Sequence, residues 1–267
     1  MNALPKITGK AAPRVSVITV TYNCADVLER TLSSVAEQDD AEVEHVVVDG
    51  ASTDGTRQLL ERALSDRIQF VSEPDDGIYA AMNKGLRLAT GDIVGFLNAG
   101  DVYADESVLA VVAKRFQLRA LDVVFGDLVY FDESRPDRVV RTYDGSSFNR
   151  AALRRGIMPP HMATFVRRAL LSEIGGFDER YRIAGDFECM VKLFWVCGVR
   201  FEHVPKILVR MQRGGVSNAS LRNRWLVSKE IRDACREHNV PTGWFRLFSR
   251  YPGKIWESLR HGFHGRL

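Results

Sequence analysis

The chain has 267 residues, 45% hydrophobic and 27% charged, the make-up of a globular protein with room for one large core. A net charge of only +3 sets up no field that would draw in nucleic acid, and no apolar run reaches the roughly 20 residues that a membrane-spanning helix needs. Cys24, Cys189, Cys197 and Cys235 form no CxxC pair and fit no zinc or disulfide spacing, so they read as reduced, small core residues of a cytoplasmic protein.

Residues 1–12 read as a flexible arm, and the opening MNALPKITGK lacks the apolar stretch of a secretion signal. A strand–helix rhythm then begins. VSVITV (15–20) is apolar and β-branched, as a buried parallel strand should be. ADVLERTLSSVAEQ (25–38) places Val27, Leu28, Leu32 and Val35 on one helical face. HVVVD (45–49) is a second strand, and Ser52, Thr53 and Asp54 offer caps for a helix running to about residue 64. IQFVS (68–72), GIYAAMNKGLRLA (77–89), IVGFLN (93–98) and residues 105–119 continue as strand, helix, strand and helix. Within 123–131 a short strand pair is expected, turning at Gly126–Asp127 and extended by VVRTY (139–143). The remainder reads as mixed, with helices near 170–174 and 186–196, strands near 201–204 and 207–211, and a helix over 218–238 ended by Pro241.

Such alternation implies a parallel sheet flanked by helices, with strand C-termini along one ligand-binding edge. Polar residues gather there. Thr21 and Asn23 follow strand one, Asp49 ends strand two, Glu73 follows strand three, Asn98 and Asp101 follow strand four, and Asp92 just precedes it. One Asp–Gly after a strand is a common turn, but the set together points to a nucleotide and a metal. Carboxylates accept hydrogen bonds from a base or ribose, whereas a diphosphate needs a hard divalent cation held by oxygen ligands. No GxxxxGK[ST] loop and no GxGxxG after strand one offers a glycine cradle instead.

VSVITVTYNCADVLERTLSSV, VVVDGASTDGT and DDGIYAAMNKGLRLATGDIVGFLNAGD together resemble family 2 of the inverting glycosyltransferases, from about residue 13 to 217. GIYAAMNKG, FLNAGD and IAGDFE look most like the exopolysaccharide and colanic-acid branch. The resemblance implies the GT-A fold, an α/β domain with a mostly parallel central sheet. It would occupy 13–217, with a nucleotide-binding half (13–101) and an acceptor half (102–217), followed by a helical extension (218–267). It also implies a nucleotide-diphosphate sugar donor, a saccharide or lipid-linked saccharide acceptor, and Mg²⁺ or Mn²⁺.

Carried over residue by residue, the resemblance puts Thr21, Asn23, Asp49 and Asp92 at the nucleoside. Asn98-Ala99-Gly100-Asp101 falls on the family's Asp-x-Asp metal motif. Asn98 and Gly100 depart from the pattern where carboxylates are often found, while Asp101 keeps the position that binds metal. Asp186 in YRIAGDFECMVKLF aligns with the base that deprotonates the acceptor; the plain alternative is a helix N-cap. Glu188 reads as a solvated or supporting residue. His161 in MPPHMATFVRR matches a family position near acceptor or sugar, the alternative being a partly buried, hydrogen-bonded histidine. RMQRGGVS (210–217) matches a late loop that in relatives can close over the donor, often with His where Gln212 stands. There Arg213 would meet phosphate oxygens, or simply be solvated.

Arg246, Arg250, Lys254, Arg260 and Arg266 stand against the single acid Glu257 in the last 27 residues, a local charge of +4 among six aromatic residues. Such a segment suits either peripheral contact of residues 241–267 with the inner face of the cytoplasmic membrane, or a helix packed on the domain. Three other functions compete: a non-catalytic nucleotide-sugar-binding or scaffold protein, favoured by the thinned metal motif; a sugar-phosphate nucleotidyltransferase, which TYNCADV does not fit; and a processive synthase, which the lack of spanning segments disfavours.

Overall fold

VSVITVT offers β-branched apolar side chains to both faces of a sheet, and strand β1 (Val15–Thr21) is accordingly buried along almost its whole length. The computed structural model describes residues 12–132, 135–212 and 221–248. β1 pairs in parallel with β2 (Val43–Asp49) on one side and β4 (Ile93–Phe96) on the other, and β3 (Ile68–Ser72) adds to β2. Helices α1 (Ala25–Ala36), α2 (Thr56–Ala63) and α3 (Ile78–Leu88) connect them. α1 buries Leu28, Thr31, Leu32 and Val35, the i, i+3, i+4, i+7 stripe of an amphipathic helix.

The second half completes a mixed sheet. β8 (Thr164–Arg167) runs antiparallel between β4 and β6 (Val123–Asp132), and β6 pairs in parallel with β9 (Phe201–Gln212). β5 (Val102–Tyr103) ends the sheet against β9, and β7 (Arg135–Tyr143) folds back on β6, giving the order β3-β2-β1-β4-β8-β6-β9-β5. The remaining helices are α4 (Val108–Leu118), α5 (Arg168–Glu173), α6 (Gly185–Val191, prolonged by a π-helical turn over Lys192–Val196), α7 (Leu221–Glu237) and α8 (Trp244–Phe248). None of the described helices is long and apolar enough to cross a membrane.

Four expectations are corrected. Gly126 and Asp127 do not turn the chain; they lie inside the continuous strand β6. Gly126 is there for closeness, since a Cβ would sit 2.5 Å from Leu208 Cγ on β9. Residues 201–212 form one strand rather than two, with a register shift against β6 on either side of Asp127 where Pro205 can donate no ladder bond. α7 stops before Pro241 acts: Asn239 adopts a left-handed φ of 56° and the Val240 N–H bonds the Cys235 carbonyl at 2.7 Å. Of the cysteines, Cys189 and Cys235 are buried, Cys24 is half-buried, and Cys197 is exposed rather than core.

Candidate active site

Parallel pairing sets Thr21 beside Asp49 and Asp49 beside Ser72, a polar row across the C-terminal ends of β1, β2 and β3. The Leu97 N–H bonds the Ile18 carbonyl at 3.0 Å, which keeps the chain beside β1 and carries Asn98 to the same edge. Asp92 does not join them. It lies at the opposite end of β4, where its carboxylate accepts from the Arg14 N–H at 3.1 Å, so the strand's own length separates it from the nucleotide edge and the role expected of it is corrected.

At this edge the loops after β1 and β2 are knitted together. Asp49 is fully buried and accepts from the Ser52 N–H at 3.0 Å, from the Ser52 hydroxyl, and from the Ser72 hydroxyl at 2.6 Å. Asn23 holds a left-handed φ of 49°; its Oδ1 accepts from the Thr53 N–H at 2.9 Å and its own N–H donates to Ser52 Oγ at 2.8 Å. The Thr21 hydroxyl is buried with no hydrogen-bond partner among the described residues. Tyr22, 65% exposed beside Gly50, presents a ring face on which a planar base can stack. Lys84 is half-buried and paired with Asp75 and with Glu73 at 2.8 Å, and these partners raise its pKa against the opposing effect of burial.

Asp101 is held from three directions. The Thr31 hydroxyl of α1 donates to the Asp101 carbonyl at 2.9 Å and accepts the Gly100 N–H at 2.8 Å, while Asp101 Oδ1 accepts the Gln212 N–H at the end of β9 at 3.2 Å. Arg30, also on α1, bonds the Gln212 side-chain oxygen. Burial pushes the Asp101 carboxyl up to about 7 against the opposing pull of the Gln212 N–H and Arg30. Its Oδ2 is buried and has no partner among the described residues. A cation would satisfy that oxygen, so Asp101 fits a metal ligand, with half-buried Asn98 as a neutral neighbour.

Asp186 sits in the first turn of α6 and accepts the Phe187 N–H at 2.7 Å. The preceding Gly185 lets the Tyr79 ring pack close, as a Cβ there would lie 2.8 Å from it, and the Tyr79 hydroxyl donates to the Ile183 carbonyl at 2.6 Å. Burial raises Asp186 to about 6, and the Glu230 charge adds to the rise against nearby N–H groups. Tyr130 on β6 joins the two acids: after burial, the charges of both Asp101 and Asp186 raise its pKa, while Arg141 lowers it. Both carboxylates, 85 residues apart in the chain, are therefore within electrostatic reach of Tyr130.

His161 is buried, stacked on Phe96 at 5.3 Å and edge-on to Phe177 at 5.6 Å. Burial lowers its pKa to about 4, so the imidazole is neutral, and neither ring nitrogen has a partner among the described residues. Glu188 is buried rather than solvated, paired with His238 at 2.7 Å and Lys192 at 3.2 Å. Arg213 lies outside the described residues. A separate group, Asp127, Asp144 and His203, could also hold a divalent ion. Asp127 stands four residues along β6 from Phe131, the partner of Gln212, so roughly 13 Å of strand separates this group from the point where Asp101 is tied to β9.

Sequence reading singles out Asp49, Asn23, Asp101 and Asp186 and passes over Ser72, Thr31, Arg30 and Tyr130, which the structure sets around them. Ser72 could have been found as the strand-end neighbour of Asp49. Nothing local marks Tyr130, whose place depends on how β6 is paired.

The sequence profile of glycosyl transferase family 2 matches residues 16–175. A "PGL/p-HBAD biosynthesis glycosyltransferase" of Mycobacterium bovis is 33% identical over 224 residues, covering 81% of this chain and 84% of that protein. Among solved structures, TarS 1–349 of S. aureus in complex with UDP-GlcNAc is similar with a TM-score of 0.64 at 23% identity, covering 83% of this chain and just under two thirds (66%) of that one. The mannosyltransferase PcManGT of Pyrobaculum calidifontis, in complex with GDP-Man and Mn²⁺, gives 0.57 at 21% identity, covering 92% and 81%. With the profile spanning more than half its length and a relative of this identity matched over most of both chains, this protein belongs to glycosyl transferase family 2 and has a GT-A-like fold.

Proposed function

We propose that this chain is an inverting glycosyltransferase that moves a sugar from a nucleotide-diphosphate donor to a hydroxyl of a saccharide, lipid-linked acceptor in the synthesis of exopolysaccharide or a related surface glycan. The observation that carries the reading is the buried, unpartnered Oδ2 of Asp101 beyond the polar row Thr21–Asp49–Ser72 at the sheet edge. Asp49, Asn23 and Thr21 receive the nucleoside, with Tyr22 against the base. Asp101, with Asn98, would hold Mg²⁺ or Mn²⁺, which when bound offsets the negative charge of the departing diphosphate. Asp186 accepts the proton of the acceptor hydroxyl as its oxygen attacks the anomeric carbon from the face opposite the leaving group. The configuration inverts in one displacement, and holding both substrates in line removes much of the remaining barrier. His161 stacks on Phe96 beside this edge and carries no charge. The M. bovis relative's place in PGL/p-HBAD biosynthesis supports a lipid-linked acceptor. The basic, aromatic tail, whose Phe245 is 90% exposed, would meet the inner face of the cytoplasmic membrane.

A thermal-shift screen tests the donor class, because a ligand that binds only the folded state raises its melting temperature. UDP or GDP with MnCl₂ is expected to raise Tm by several degrees more than AMP with MnCl₂. Equal, negligible shifts for all nucleotides would end the reading.

Asp186 also sets a pH dependence. A base must be ionised to accept a proton, so kcat should fall about tenfold per pH unit below a midpoint near 6. A kcat profile measured at saturating donor between pH 4.5 and 8 checks this. A kcat that stays level down to pH 4.5 would separate Asp186 from the rate.

A further inference from the structure

The segment that carries Asp186 takes many of its restraints from α7 and the residue just past its end, 46 to 57 residues further along the chain. Glu230, 7% exposed, accepts three consecutive backbone donors: the Arg182 N–H at 3.1 Å, the Ile183 N–H at 3.0 Å and the Ala184 N–H at 2.8 Å. Ala184 lies two residues before Asp186 at the entry to α6. Two further ties flank this one. Glu237 receives Arg180 at 2.7 Å and the Tyr181 hydroxyl at 3.3 Å, and His238 bonds the buried Glu188 at 2.7 Å. On the other side, Asn83 of α3 holds the Phe177 N–H at 2.9 Å and its carbonyl at 2.8 Å.

Three backbone N–H groups, two part-buried and one buried, that converge on one carboxylate fix the path of a loop more tightly than any single bond, because loss of the acceptor leaves all three without their partner. We propose that Glu230 is a positioning residue of the transfer reaction: by gathering the N–H groups of Arg182, Ile183 and Ala184 it sets the place and the basicity of Asp186. The inference rests on the reading of Asp186 as the base. It makes α7 part of the reaction centre and not an appendage to it. Electrostatics agrees with geometry. Around Asp186 stand Glu230 from α7, Tyr79 from α3, Tyr130 from β6 and Cys189 on its own helix, and Glu230 is the one of them whose charge raises the Asp186 pKa, after burial.

The test uses the full chain with Glu230→Gln, which keeps the volume and removes the charge, and Glu230→Asp, which keeps the charge on a shorter arm. Two readouts need no substrate: the ¹³C-carboxyl titration of Asp186, its signal assigned by its absence in Asp186→Asn, and amide exchange at residues 182–184. In Glu230→Gln the Asp186 midpoint is expected to fall by about half a pH unit or more, and the three amides to exchange at least about tenfold faster. Release of nucleoside diphosphate from UDP-GlcNAc and GDP-mannose, run in parallel with MnCl₂, should show kcat lowered about tenfold with donor KM unchanged. Glu230→Asp should restore the midpoint, which a purely structural role would not do. If Glu230→Gln does not fold, Glu230→Asp carries the exchange test alone, with partial loss of protection expected. Wild-type titration and exchange in the variant that folds would overturn the proposal. Should those occur beside an inactive Asp186→Asn, only the role of Glu230 falls; a fully active Asp186→Asn would remove the base reading itself.

Discussion

Asp186→Asn is expected to lower transfer by about 10²- to 10⁴-fold, the contribution of a placed general base, while leaving donor affinity within about twofold. The substitution keeps the side chain's shape and its acceptor oxygen for the Phe187 N–H, so α6 retains its entry. It removes only the ability to take a proton. Asp49, Asn23 and Asp101, which the reading gives to the donor, sit on other elements and are not disturbed. Initial rates with saturating donor, beside nucleotide affinity by calorimetry, separate the two effects. Turnover near the wild-type rate would remove Asp186 from the chemistry.

The same variant has an expected thermodynamic signature. Burial raises the folded-state pKa of Asp186 to about 6, above the ordinary 3.8. The folded chain therefore binds this proton more tightly than the unfolded chain, and the ionised group costs stability above pH 6. That cost shrinks as the pH falls from about 6 to about 4 and vanishes where the group is protonated in both states. Asp186→Asn should thus melt above wild type at pH 8 and together with it near pH 3.5. A lower Tm at pH 8 would mean that the carboxylate is favourably held and that its burial is not a cost accepted for function.

Legibility differed between the two halves of the chain for a physical reason. In the first, β1 to β4 pair with one another in parallel and each connection is a helix, so periodicity alone placed β1 to β4 and the residues at their ends. Thr21, Asn23, Asp49 and Asn98 could be found that way because a strand's C-terminus fixes a residue's edge whatever its partners. Asp92 shows the limit of the same reasoning: it flanks the right strand but at the wrong end. In the second half, β6 takes three partners, one parallel and two antiparallel, and nothing within VVFGDLVYF distinguishes a turn from a close approach at Gly126. The contacts that bind Asp101 to Gln212, or Glu230 to Ala184, span 111 and 46 residues. No local pattern encodes them, and they exist only once the sheet order is set.

Asp101→Asn is expected to lower transfer by about 10²- to 10³-fold and to abolish the Mn²⁺-dependent part of the thermal shift given by UDP or GDP. The argument turns on a single oxygen. Asp101 Oδ1 already accepts the Gln212 N–H, and an asparagine oxygen can do the same, so the tie between α1, the loop after β4 and β9 survives. Oδ2 is the buried atom with no partner among the described residues, and replacing it with an NH₂ group puts a donor where a cation needs an acceptor. With Asn98, Ala99 and Gly100 as the rest of this motif, no second acid in it compensates. A structural role alone would predict a lower melting temperature with an unchanged metal increment. A ligand role predicts the reverse, a folded protein whose nucleotide response no longer distinguishes MnCl₂ from EDTA. If the increment persists in Asp101→Asn, the cation is held elsewhere, and Asp127, Asp144 and His203 are the group to substitute next.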